Sequence, residues 1–197
     1  MRTRIAVLVS GGGTNLQALI DAQSRGEIPD GEIVLVISNN PNAYALQRAR
    51  NAGIEIAVCT KPDLEAKILE TLKDHNIEMI VLAGFMAILS KYFVSHYPER
   101  IINIHPSLIP SFCGEGFYGL HVHEAALSYG VKVTGATVHY VNEIPDGGRI
   151  IAQKAVDIQE GDTPEILQKR VMEQAEWILL PRATEIVSKR IRLEKVQ

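Results

Sequence analysis

The chain has only two cysteines in 197 residues, Cys59 and Cys113, and they lie far apart. That is no disulfide framework; the thiols read as reduced and the expected compartment is the cytoplasm. No apolar run reaches 18 residues, so no segment is long enough for a membrane span. Met1-Arg2-Thr3-Arg4 leads into five apolar residues before Ser10 and three glycines, too few for a signal-peptide core. A basic excess is missing too. Twenty Lys and Arg against 23 Asp and Glu give a formal charge of −3, which argues against a nucleic-acid partner. Repeats, low-complexity tracts and linkers are absent. A length of 197 with 46% hydrophobic residues fits one domain, residues 1–197, large enough to bury its own core.

What is present is an alternation of short apolar runs and amphipathic segments. Residues 5–9 are continuously apolar, as in a strand buried on both faces of a parallel sheet. Further strands are expected at 33–37, 54–58, 79–83 and 101–104. Helices are expected at 15–24, at 44–52 with Gly53 as a stop, and at 63–75, where Leu64, Ile68, Leu69 and Leu72 share a face. Strand–helix units in series imply an α/β fold with a doubly wound, mostly parallel, Rossmann-like sheet flanked by helices. After residue 105 the pattern changes. A Pro- and Gly-rich loop at 109–119 and a short helix at 123–128 precede a strand pair, 133–141 with 150–158. A long helix then opens at Thr163-Pro164, a cap followed by a first-turn proline, with its apolar stripe at Ile166, Leu167, Val171, Ala175 and Ile178.

Ser10-Gly11-Gly12-Gly13-Thr14-Asn15 joins the first strand to the first helix. Glycines let a backbone approach a ligand closely, and the following helix start offers free N–H groups and the positive end of its dipole. The loop reads as a phosphate cradle through Gly12, Gly13, Thr14 and Asn15, with a plain tight turn as the alternative. No Gly-Lys-Ser/Thr comes after it, so it is not a Walker loop. Leu16 stands where a dinucleotide fingerprint needs its third glycine, and the second strand ends Ser38-Asn39-Asn40 without an acidic residue. A monophosphate ester fits better than a dinucleotide or ATP.

Asn103 and His105 alternate onto one side of the fifth strand at its carboxyl end, where open α/β sheets bind ligands. A carboxamide beside an imidazole can stabilise an oxyanion and move a proton. Asp146, before Gly147 and Gly148, lies in a loop that can return to that edge and favour the imidazolium. A strand-end His-Pro can equally be packing. His139, on the same strand side as Thr137, either lines this site or packs. His121 and His123 form a His-x-His pair, but no third ligand stands at matching spacing, and no metal is expected.

Five segments occur in order: 10–15 as above, Leu82-Ala-Gly-Phe-Met86, Asn103-Ile-His-Pro-Ser-Leu108, Gly135-Ala-Thr-Val-His139 and Asp146-Gly-Gly148. From about residue 4 to near Pro181 the chain resembles the phosphoribosylglycinamide formyltransferase family, folate-dependent enzymes of purine biosynthesis. The resemblance implies formyl transfer from 10-formyltetrahydrofolate, a cosubstrate, to the amine of glycinamide ribonucleotide, with no metal. It implies a catalytic trio of Asn103, His105 and Asp146, with His105 held as or near imidazolium, and Thr137 helping to hold a water for proton shuttling. It implies phosphate contacts at Gly13, Thr14 and Asn15, and a ribonucleotide contact at Glu176, with Glu173 open as the alternative. Folate contacts are implied for Lys61, Met86, Ala87, Ile88, Leu89, Asn103, Val141 and Asn142, the segment from Met86 to Leu89 holding the pterin through its backbone. It suggests a phosphate-binding half, 1–100, a catalytic and folate-binding half, 101–197, a cis Ile109–Pro110 bond, and a monomer or homodimer.

Three departures bear on the folate grip. Ala87 stands where relatives carry Arg, Lys61 stands where a relative has an Arg that meets the folate tail, and the stretch 113–118 is longer than expected. The rival reading is a deformylase-like hydrolase acting on formyltetrahydrofolate, which usually carries an extra N-terminal domain. A first strand starting at residue 4 leaves no room for one. A non-catalytic phosphate-binding module would explain the glycine loop but not Asn103, His105 and Asp146 together.

Overall fold

The computed structural model describes residues 1–195; Val196 and Gln197, the last two of the expected 1–197 domain, lie outside the described residues. Seven strands form one sheet: β1 (Thr3–Val9), β2 (Gly31–Ser38), β3 (Glu55–Val58), β4 (Met79–Leu82), β5 (Ile101–His105), β6 (Val133–Tyr140) and β7 (Ile150–Asp157). Their order is β3-β2-β1-β4-β5-β6-β7. The first five are parallel, and β6 and β7 join antiparallel, β6 against β5.

β1 is central, and Ile5 to Val9 are fully buried on both faces. Ile5, Val7 and Val9 meet one core with α1 (Thr14–Ser24) and α2 (Tyr44–Asn51). Ala6 and Leu8 meet a second core with α3 (Leu64–Asp74) and α4 (Lys91–Ser95), where Phe93 is the largest enclosed side chain. Each such aliphatic or aromatic burial is worth about 1.5–3 kcal/mol, so a continuous apolar run is what a two-faced strand requires. α4 had no periodic signal. Five residues are too few to show one, and the Ser90 hydroxyl caps it by accepting the Phe93 N–H.

After α5 (Leu120–Tyr129) and the antiparallel pair, the expected long helix comes in three parts. α6 (Pro164–Val171) starts at Thr163, whose hydroxyl accepts the Ile166 N–H, with proline at the first turn. A wider π turn (Met172–Glu176) comes next, then α7 (Trp177–Glu194). The buried stripe runs through Leu167, Val171, Ala175, Leu179, Leu180, Ala183, Val187 and Ile191. Ile166 and Ile178 are about half exposed and do not belong to it, a correction: Ile166 lies in the first turn of α6, at the edge of the buried face, and for Ile178 the π turn rotates the downstream face away from simple 3.6-residue spacing. Pro181 sits just after this turn. It has no N–H to return to Trp177. Cys59 and Cys113 are both free thiols. Among the described residues, no helix is long and apolar enough to cross a membrane.

Candidate active site

β1, β4 and β5 end along one edge of the sheet. β1 and β4 are adjacent yet not consecutive, and the chain leaves them toward opposite faces, so a crevice opens between their carboxyl ends. Ser10 joins its two walls: its N–H donates to the Gly84 carbonyl at 3.1 Å and its hydroxyl accepts the Met86 N–H at 2.9 Å.

On one wall lies the glycine loop. Gly13 has φ +73°, and a Cβ there would stand 2.6 Å from the Ala45 Cβ, so this position requires glycine. Gly11 and Gly12 face open space. No side chain caps α1 and no acidic residue lies in its first turn, which leaves its N–H groups and dipole uncompensated. That is a setting for an anion. Thr14 is exposed at the rim. The Asn15 amide donates to Glu176 Oε2 at 2.6 Å, while Asn15 Oδ1 is buried without a partner. Of the two carboxylates left open by the sequence, Glu176 faces the loop. Glu173 is exposed, 3.9 Å from the Lys169 ammonium. Burial pushes the Glu176 carboxyl above its usual range despite the Asn15 hydrogen bond.

At the end of β5 the antiparallel register places His139 opposite Asn103 and Thr137 opposite His105. Opposed residues share a face, so all four side chains converge. Asn103 Nδ2 lies 3.2 Å from His139 Nε2. The β6–β7 loop folds back over them. Asp146 places Oδ2 3.5 Å from His105 Nδ1 and Oδ1 3.5 Å from His139 Nε2, and accepts the Gly114 N–H at 2.8 Å. The loop lies so close to its own strand that a Cβ on Gly148 would stand 1.7 Å from the Tyr140 carbonyl oxygen. His105 Nε2 is 2.8 Å from the Phe112 carbonyl. The Ile109–Pro110 bond is cis, as expected, and so is Lys61–Pro62.

Two opposing influences act on His105. Burial pushes its pKa down, and the Asp146 carboxylate and Phe112 carbonyl, which favour the charged ring, do not restore it. Burial also opposes the Asp146 charge, but the His139 hydrogen bond, the nearness of His105 and the Gly114 N–H outweigh it, and its pKa falls. An ion pair alone would move the two apart; both move down because His105 is the more deeply enclosed, 4% exposed. Burial thus holds the His105 pKa below its ordinary value even with the Asp146 carboxylate beside it.

The Thr137 hydroxyl donates to the Ser107 carbonyl at 2.7 Å and accepts from Ile109 N–H at 3.1 Å and Gln153 Nε2 at 2.9 Å. These bonds pin the turn after His105.

On the other wall, Lys61, Met86 and Ala87 line a recess of about 450 Å³ with Asn39, Thr60 and Leu64. Ile88 points outward, 74% exposed, whereas Leu89 is buried in the second core and offers a ligand only its backbone. Val141 packs against that core, and the Asn142 side-chain oxygen accepts the Ile144 N–H. His121 is exposed and paired with Glu124, while His123 is fully buried near His105 with neither ring nitrogen partnered. They face apart on α5, so His-x-His makes no chelate. No group of three or more His, Cys, Asp or Glu residues that could hold a metal ion occurs among the described residues. Sequence reasoning left His139 undecided. Its signal was alternation with Thr137, which becomes decisive only once β6 is registered against Asn103.

Residues 3–184 match the model of the formyl transferase family. The chain is 36% identical to the chloroplastic phosphoribosylglycinamide formyltransferase of Arabidopsis thaliana over 97% of its own length and 68% of that protein. It is 42% identical to the trifunctional purine biosynthetic protein adenosine-3 of Gallus gallus over 95% of its own length, spanning 18% of that protein. Glycinamide ribonucleotide transformylase 1 from Symbiobacterium toebii superposes with a TM-score of 0.88 at 38% identity, covering 96% of this chain and 89% of that one. With this match over nearly the whole sheet and its helices, the chain belongs to the formyl transferase family, in its phosphoribosylglycinamide formyltransferase branch.

Proposed function

We propose that the protein transfers the formyl group of 10-formyltetrahydrofolate to the amine of glycinamide ribonucleotide in purine biosynthesis. The observation that carries this reading is the convergence of Asn103, His105, His139 and Asp146 beside an uncapped glycine-loop helix start at the same sheet edge. In the reaction the amine nitrogen bonds to the formyl carbon, the carbon's bond to the folate nitrogen breaks, and the proton lost by one nitrogen is gained by the other.

The chain's residues divide this work. The neutral His105 is suited to receive the amine proton, and Asp146 then stabilises the imidazolium as it forms, next to the negative charge growing on the formyl oxygen. The Asn103 amide donates to that oxygen, and His139 orients Asn103 and Asp146. Gly12, Gly13, Thr14 and Asn15 hold the phosphate, and Asn15 with Glu176 holds the ribose side. The recess at Lys61, Met86 and Ala87, with the backbone from Met86 to Leu89 and the edge at Val141 and Asn142, suits a flat apolar ring followed by an anionic tail. Thr137 supports the His105 turn. The folate contacts at 61 and 86–89 fall within residues 1–100, so the phosphate-binding and folate-binding halves interleave within one catalytic unit. It works in the cytoplasm, as a monomer or homodimer.

The test measures folate deformylation with and without glycinamide ribonucleotide. Deformylation that requires the ribonucleotide, with formylated product in equal amount, is expected. Release of formate without the ribonucleotide would make the protein a hydrolase, the reading that the names of its relatives do not favour.

A further inference from the structure

The phosphate cradle carries no positive charge of its own. Residues 10–17 contain neither Lys nor Arg, and α1 offers only backbone N–H groups and the Thr14 hydroxyl. A phosphate monoester brings about two negative charges, and a guanidinium fork is the side chain that fits it most directly.

One arginine is held ready at this place. Arg48 comes from α2, which packs across the glycine loop, the Ala45 N–H donating to the Gly11 carbonyl at 3.1 Å. Its Nε donates to the Gly12 carbonyl at 2.8 Å and its Nη1 to Gln17 Oε1 at 3.1 Å. Gln17 is itself oriented by donating to Asp21 Oδ1 at 2.8 Å. The guanidinium carbon lies 5.0 Å from the centre of the Tyr44 ring. Together these contacts fix the plane of the group while using two of its five N–H bonds. No carboxylate stands within ion-pair distance of Arg48 among the described residues, although Arg25, on the same cavity, is paired with Glu27. That cavity, about 350 Å³, runs along α1 from Thr14 past Gln17 to Asp21, with Arg48 on one side and Trp177, next to Glu176, on the other.

We infer that Arg48 is a binding residue for the substrate phosphate, the guanidinium whose charge and spare N–H groups complete the glycine-loop cradle. A surface arginine kept for solubility would have a free side chain. This one is anchored at three points and left without a counter-ion beside a helix start with no cap. The inference rests on the ribonucleotide reading above and names the cation of that same site.

Steady-state kinetics with two amine substrates test it, glycinamide ribonucleotide and the dephosphorylated glycinamide riboside, on wild type, Arg48→Met and Arg48→Lys. A hydrogen-bonded charge pair of this kind corresponds to about 10- to 100-fold in binding. Arg48→Met is therefore expected to raise KM for the ribonucleotide by that factor, with kcat and the KM for 10-formyltetrahydrofolate close to wild type. On the riboside, wild type and Arg48→Met should be equal, and Arg48→Lys should lie between them on the ribonucleotide. The salt dependence of kcat/KM for the ribonucleotide should flatten in Arg48→Met. An equal loss on both substrates would make Arg48 a scaffold for the loop and overturn the inference, as would an unchanged KM, while the cradle itself stood. A wild-type enzyme indifferent to the phosphate would overturn the cradle as well, and a wild-type enzyme that formylates neither substrate would overturn the functional reading.

Discussion

At the scale of single residues, the site turns on how burial and charge compete at His105. Its ring is enclosed enough for burial to lower its pKa, and Asp146 is close enough to stabilise a charge when one arrives. Replacing His105 with Ala removes both the oxyanion partner and the proton carrier. Loss of one such donor costs about 10²–10³ in rate, so turnover should fall at least that far while circular dichroism stays native. Retention of more than about a tenth of the activity would exclude His105 from the chemistry. Asp146→Asn is the finer probe. Asp146 has φ +54°, a conformation Asn also adopts, so the loop should survive. Without the carboxylate, only the Phe112 carbonyl is left to oppose the effect of burial on His105. The acid limb of the pH–rate profile should move to lower pH, and the neutral-pH rate should fall by about 10-fold or more, up to the roughly 10²–10⁴ that acid–base catalysis supplies. A profile that stays in place at near-normal rate would reduce Asp146 to a turn residue. Asn103, His105 and Asp146 were legible as residue types at suggestive places. Their charge states were not, because desolvation depends on everything packed around them.

Among the elements, the π turn between α6 and α7 has the clearest functional consequence. It contains one residue more than an α-turn needs, and that extra residue brings Glu176 to face Asn15 and leaves Glu173 in solvent. From spacing alone both carboxylates stayed open, since helical periodicity assumes an unbroken 100° per residue. Deleting Gln174, exposed on the turn, should restore a continuous α-helix and rotate Glu176 out of line with Asn15. We expect KM for the ribonucleotide to rise about 10-fold or more, with an unchanged folate KM. Equal KM values in the deletion variant would mean that the carboxylate position does not matter. Thr163-Pro164 was read correctly because capping is a local matter of one hydroxyl and one missing N–H. α4 was missed because its helicity depends on Phe93 finding the second core.

For the molecule as a whole, two enclosed histidines tie stability to pH. Burial pushes His123 down to about 4, helped by the nearness of His105, and His105 is lowered too. These are bases favoured neutral in the fold. Their stabilisation is complete above the unfolded value near 6.5 and is lost as pH falls toward the folded values. Asp146, a carboxylate with a lowered pKa, keeps its contribution until pH drops below 3.8, so it plays no part between pH 6.5 and 4. For His123 the difference corresponds to about 3 kcal/mol. Glu176, a buried carboxyl with a raised pKa, works in the opposite direction as pH falls. Between pH 7 and pH 4.5, urea unfolding of His123→Phe should therefore lose about 2–3 kcal/mol less stability than wild type. The same slope in both proteins would place the acid sensitivity elsewhere.

The sequence by itself determined the features that depend only on local chemistry and on the period of burial along a strand or helix. Residues 5–9 suit a strand covered on both faces, three glycines before a helix can approach an anion, and Asn103 and His105 share one side of their strand. Tertiary structure decided whatever needs a partner distant in the chain. It set His139 against Asn103, turned the 142–148 loop back so that Asp146 reaches two imidazoles, spent the Thr137 hydroxyl on the turn after His105, and chose Glu176 over Glu173. The physical reason is the same each time. A side chain's type and its position along a strand or helix are local quantities, whereas its hydrogen-bond partners and its exposure to water, which set its charge and its role, belong to the packed molecule.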